Sequence, residues 1–241
     1  MWILGLAVGL AGEPVNLDAT LAAVAPLRGR RQISGLPAIP ATAWTTAAAG
    51  EIAWGVVEVE GEAARKTWGV AVIAQPIERV WGAINDEALL VRYTDLSYAE
   101  VVRGRPCEAG RHVLQVLPVG FPGVSDRWWV TVRSPNATLA AASGGRVREL
   151  SWVNAPDGSA VTSASGKAQL VDRVMVGFTR GAWLLAAVDP GHTLVEYYAW
   201  VHPGGSLPAG LMATFAGKTL RNTFDAVGRA AADSTVSCLG G

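Results

Sequence analysis

The stretch Thr193–Ala232, TLVEYYAWVHPGGSLPAGLMATFAGKTLRNTFDAVGRAAA, decides how this chain folds. Its first nine residues have the period of a strand. Leu194, Glu196, Tyr198 and Trp200 share one face, and Val195, Tyr197, Ala199 and Val201 share the other. Both faces are apolar apart from Glu196, so one is expected to meet a covering layer and the other a cavity. Pro203-Gly204-Gly205 then turns the chain, and a helix is expected from Leu207 to about Ala232. Ser206 is its candidate N-cap and Pro208 sits in its first turn. At 1.5 Å per residue such a helix is roughly 39 Å long.

That helix changes character along its length. Thr214, Lys218, Arg221, Asp225 and Arg229 recur at intervals of three and four and form a polar stripe, opposite Leu220, Phe224 and Val227. This half is expected to pack on a sheet. Leu207, Leu211, Met212 and Phe215 point in several directions, so the first half is apolar nearly all round. Such an end is buried on both sides or faces a ligand or membrane. Gly204, Gly205 and Gly210 beside it mark it as a candidate lid.

Upstream the period is that of strands. Ile52–Glu60 and Thr67–Ala74 read as a strand pair turning at Gly61-Glu62, followed by a helix from Pro76 to Asp86. Six further segments read as strands: Leu96–Arg103, Arg111–Pro118, Arg127–Arg133, Val147–Val153, Lys167–Asp172, and Val174–Val188 with an internal turn. Residues 13–50 form a lead-in, with Asp18 as the candidate cap of a helix running to about Val24, a loop from Pro26 to Thr46, and a short helix over Trp44–Ala49. The order satisfies an α+β fold in which a curved antiparallel sheet wraps around a long C-terminal helix.

Composition narrows the function. Half of the 241 residues are hydrophobic and the formal net charge is zero, so a sizeable core forms and phosphate-backbone binding has no basic patch to rest on. No nucleic-acid partner is expected. The three histidines, His112, His192 and His202, form no metal-ligand pair, and no nucleophile elbow, phosphate loop or dinucleotide fingerprint is present. No catalytic residue, metal or cofactor is therefore expected. The ten tryptophans suit a large apolar interior, and Trp128-Trp129 place one indole on each face of their strand.

Three segments resemble START-like proteins: Val72–Trp81 (VIAQPIERVW), Ser125–Val130 (SDRWWV), and Thr193–Tyr198 with Pro203–Pro208. Together they span about residues 52–230, and the START-like domain is placed at 51–233 with a tail at 234–241. The resemblance implies a helix-grip fold with a tunnel between sheet and C-terminal helix. It implies a hydrophobic small molecule or lipid as cargo, a sterol or phospholipid for example, and transient membrane contact. An aromatase/cyclase-type enzyme acting on a polyketide-like substrate is the alternative. The expected ligand-binding residues are Trp81, Arg127, Trp129 and Trp152, then Glu196, Tyr198 and Trp200, and Leu211, Met212 and Phe215 on the helix. Glu196 has three readings: a paired structural charge, a headgroup anchor or a catalytic acid. Arg127 is its first expected partner, before Arg173 and Arg180.

Met1–Gly12 (MWILGLAVGLAG) is too short to span a bilayer and has the length of a signal-peptide core, with a small-x-small site at Gly9-Leu10-Ala11. No Lys or Arg precedes it, and a buried N-terminal helix is the other reading. Export with cleavage near Ala11 is the expectation, with a cytoplasmic location otherwise. Cys107 and Cys238 pair in an exported protein or remain free thiols.

Overall fold

The structure is a computed structural model that describes residues 14–58, 65–202, 204–205, 209–236 and 238, with the side chains of 209–219 left out of the description. Among these residues, nine strands form one curved sheet: β1 Ala53–Val57, β2 Arg65–Ile73, β3 Tyr98–Arg103, β4 Arg111–Leu117, β5 Arg127–Pro135, β6 Val147–Asn154, β7 Val174–Met175, β8 Phe178–Asp189 and β9 His192–His202. The order across the sheet is β1-β2-β9-β8-β6-β5-β4-β3, every neighbour antiparallel, while the short β7 pairs in parallel with β5. Among the described residues, seven α-helices surround it: α1 Asp18–Val24, α2 Ala41–Ala48, α3 Ile77–Ile84, α4 Glu87–Tyr93, α5 Ala137–Ala142, α6 Ala164–Ala168 and α7 Ala209–Asp233.

The two-residue period of β9 separates two cores. Val195 joins Ala71, Ile73, Trp183 and Leu185 on the inner face, against α3 and the second half of α7. Leu194 and Tyr198 join Trp68, Val70 and Leu184 on the outer face, against the lead-in. The covering layer anticipated for one face of β9 is the lead-in itself. Leu220, Phe224 and Val227 of α7 are buried, while Arg221 and Arg229 are exposed, as the polar stripe requires. Phe224 comes this close because β2 carries Gly69 beneath it, where a Cβ would lie 2.5 Å from the ring.

Several local readings are corrected. Lys167–Asp172 is not a strand. It is the end of α6 and a turn, because Ser163 caps α6 by accepting from the Gly166 amide at 3.0 Å. Two helices escaped the hydrophobic period because each is short. Both carry a cap: Asp86 accepts from Ala88 and Leu89 at the start of α4, and Asn136 accepts from Leu139 at the start of α5. The loop expected from Pro26 is a 3-10 helix over Ala25–Arg30, and α2 begins at Ala41 rather than Trp44. Asp18 is the first residue of α1 rather than its cap, and its amide donates to the Asn16 side chain at 2.8 Å. The turn expected inside Val174–Val188 separates β7 from β8.

Cys107 and Cys238 form a disulfide that ties the β3–β4 connection to the tail beyond α7, with 5.6 Å between the Cα atoms. Arg79 of α3 also holds this tail, donating to the Ser234 carbonyl at 2.6 Å. The end of α7 is thus fixed at three places on the body, since Tyr93 donates to Asp233 as well. At the other end, Gly204 and Gly205 take the left-handed conformation, with φ of +69° and +60°.

Candidate functional site

Between the inner face and α7 lies a cavity of about 350 Å³. Strands β4, β5, β6, β8 and β9 supply its wall through inward residues such as Leu117, Trp129, Trp152, Trp183 and Tyr197. Ile84, Leu90 and Leu220 close it from the helices. Two of the polar groups in the wall are paired within it. The Trp129 indole donates to Gln115 at 3.0 Å, and the Trp152 indole donates to Thr179 at 3.2 Å. Paired in this way, the two indoles offer their carbon faces inward.

One charged cluster reaches this wall. Arg133 lines the cavity and donates to Glu87 of α4 at 3.4 Å, and Arg111 stands 3.7 Å from the same carboxylate. Arg111 also donates to Asn85 at 2.6 Å. Burial, with Arg133 beside it, pushes Arg111 down to about 10, against the pull of Glu87. Arg133 is lowered for the same first reason. Burial pushes the Tyr197 phenol up to about 12, so at neutral pH it is a neutral donor.

The structure divides the expected ligand-binding residues into four groups. Arg127, Trp129 and Trp152 line the cavity. Trp81, on α3, is packed in the core, away from the lining. Glu196, Tyr198 and Trp200 lie on the outer face, because β9 sends its even-numbered residues there. Leu211, Met212 and Phe215 fall outside the described side chains, as does the lid they were to form. Gln115, Arg133, Thr179, Trp183 and Tyr197 line the cavity and were not anticipated. Tyr197 and Trp183 follow from the alternation of their strands once the inner face is known.

The Glu196–Arg127 pair is also corrected. Arg127 donates to the carbonyls of Ser125 and Gly204, at the far end of the cavity wall. Glu196 is 1% exposed and is held by Arg28 of the lead-in, through two bonds of 2.9 and 2.6 Å. Arg31 at 3.4 Å and the Tyr198 hydroxyl at 2.7 Å complete its shell. The carboxylate outweighs the burial of Arg28, and the Arg28 pKa is raised. Beside it, Glu149 accepts from the Gln32 amide at 2.9 Å and from Asn136 at 2.7 Å.

Among the described residues no group of His, Cys, Asp or Glu is arranged to hold a metal, and no helix is long and apolar enough to cross a membrane.

No family model and no curated protein matches the sequence. The fold does match solved structures. A STAR-related lipid transfer protein from Xanthomonas axonopodis is 20% identical with a TM-score of 0.60, over 75% of this chain and 93% of that one. Human StAR-related lipid transfer protein 5 is 12% identical with a TM-score of 0.57, over 89% and 95%. An aromatase/cyclase from Streptomyces sp. R1128 is 14% identical with a TM-score of 0.50, over 74% and 99%. In its curved antiparallel sheet and its long last helix, this chain has the helix-grip fold of the START domains.

Proposed function

We propose that the protein binds, and transfers, a hydrophobic ligand such as a sterol, a phospholipid or another lipid in the cavity under α7. The observation that carries this is the wall itself: about 350 Å³ bounded by Trp129, Trp152, Trp183 and Leu150, with the Trp129 and Trp152 indole donors already satisfied by protein partners. That volume lies within the range of small-molecule pockets, roughly 300–1,000 Å³. A largely apolar wall gains most from an apolar guest. The first half of α7 gates loading in this reading and touches membrane as it does so. Native mass spectrometry with lipidomics of the purified protein tests it. A bound lipid of defined class, displaced by Ala199→Trp in the wall, is the expected result. Protein that carries no lipid and accepts none from vesicles would overturn it.

The alternative is an aromatase/cyclase-type enzyme acting on a polyketide-like substrate. The neutral Tyr197 phenol in the cavity favours it, since a buried donor can polarise a carbonyl. Turnover of an aromatic polyketide that Tyr197→Phe abolishes would establish this reading instead.

We infer export as well, with cleavage near Ala11. The Cys107–Cys238 bridge supports this, because disulfides persist in oxidising compartments.

A further inference from the structure

A second space of about 540 Å³ lies on the outer face, beneath residues 33–39 of the lead-in. Leu21, Leu36, Ile39 and Trp44 form its apolar side, and Arg28 and Arg31 its polar side. A separate small pocket of about 10 Å³ under the same loop is lined by Lys66, Arg180 and Trp200.

The hydrogen bonding here is lopsided. The Arg31 side chain is only 6% exposed, and its Nη2 has no partner. Beside the small pocket, Arg180 Nε and Trp200 Nε1 are likewise buried without hydrogen-bond partners. All three are donors. The acceptors nearby are already engaged: Glu196 by Arg28, Arg31 and Tyr198, and Glu149 by Gln32 and Asn136. Charge leans the same way, with Arg28, Arg31, Arg180 and Lys66 set against Glu149 and Glu196. A buried donor left unmet costs about 1–3 kcal/mol, more when charged.

We propose that this space is a second binding site, separate from the cavity under α7, for a monocarboxylate carried on an apolar chain or ring. The carboxylate brings acceptors only and meets Arg31 Nη2, with charge-assisted bonds of the kind a guanidinium makes best. The apolar body lies against Leu36, Ile39 and Trp44. The site needs the lead-in, which supplies Arg31 and most of the wall.

Indole resonances in a ¹H–¹⁵N spectrum separate the two sites. Trp44 and Trp200 report the outer site, and Trp129 and Trp152 report the cavity. With octanoate as probe, the Trp44 and Trp200 signals shift saturably. With 1-octanol at the same concentration they do not. Arg31→Lys keeps the charge but lacks the fork, and weakens the octanoate effect at least tenfold. Leu36→Asp does the same without touching the buried network, so the test stands even if Arg31→Lys folds poorly. Movement of the cavity indoles alone, equal shifts with octanol, or unchanged affinity in both variants would overturn the site.

Discussion

Glu196 on β9 and Arg28 in the lead-in, 168 residues apart in the chain, form a bidentate ion pair on the outer face of the sheet. The pair joins the lead-in to β9, and Glu196 is almost wholly buried. Removing one partner strands the other charge. Glu196→Ala is therefore expected to cost about 3–5 kcal/mol in a denaturant melt. Arg28→Ala costs less, because Arg28 is 34% exposed and water recovers part of the loss. Neither change is expected to alter lipid binding in the cavity, which lies on the other face. Equal stability of Glu196→Ala and the parent protein would contradict the geometry.

Tyr197 makes stability depend on alkaline pH. Its pKa is raised by burial from 10 to about 12 in the folded protein. The folded state thus holds a proton that the unfolded state gives up first. This contribution is complete below pH 10 and is lost as pH rises through about 12. Thermal melts between pH 8 and 12 should fall across that window, and Tyr197→Phe should flatten the fall. An unchanged slope in the variant would place the effect elsewhere.

Leu211 and Leu220 lie on the same helix and should respond differently to the same change. Leu220 is 3% exposed in the core, where an apolar side chain contributes about 1.5–3 kcal/mol. Leu220→Asp should destabilise the fold. Leu211→Asp should slow transfer of a fluorescent sterol or phospholipid between vesicles far more than it lowers the melting temperature. Equal losses of stability with no selective effect on transfer would make the first half of α7 ordinary core.

The tail beyond α7 should depend on its bridge. Replacing Cys107 and Cys238 together by serine is expected to cost about 2–4 kcal/mol. Intact-mass analysis of the natively produced protein should find it without Met1–Ala11 and lighter by the two hydrogens of the disulfide. Retention of Met1–Ala11 would refute export by that route.

The sequence by itself determined the local periods. Alternation over Thr193–Val201 and the polar stripe from Arg221 to Arg229 are properties of a strand and a helix, and they place side chains on faces without help from the rest of the chain. The resemblance of Val72–Trp81 and Ser125–Val130 to START-like segments carried the fold beyond what periodicity could reach. Only the tertiary structure decided which face of β9 meets the cavity. Both faces are apolar, so alternation separates Tyr197 from Tyr198 but cannot say which looks inward. The answer came from the lead-in, whose packing on the outer face turns Glu196, Tyr198 and Trp200 away from the cavity. The same holds for charge partners. A buried carboxylate needs a cation, and sequence can state that need. Choosing Arg28 over Arg127 depends on which chain segment crosses Glu196, and that is set by long-range packing that no local pattern encodes.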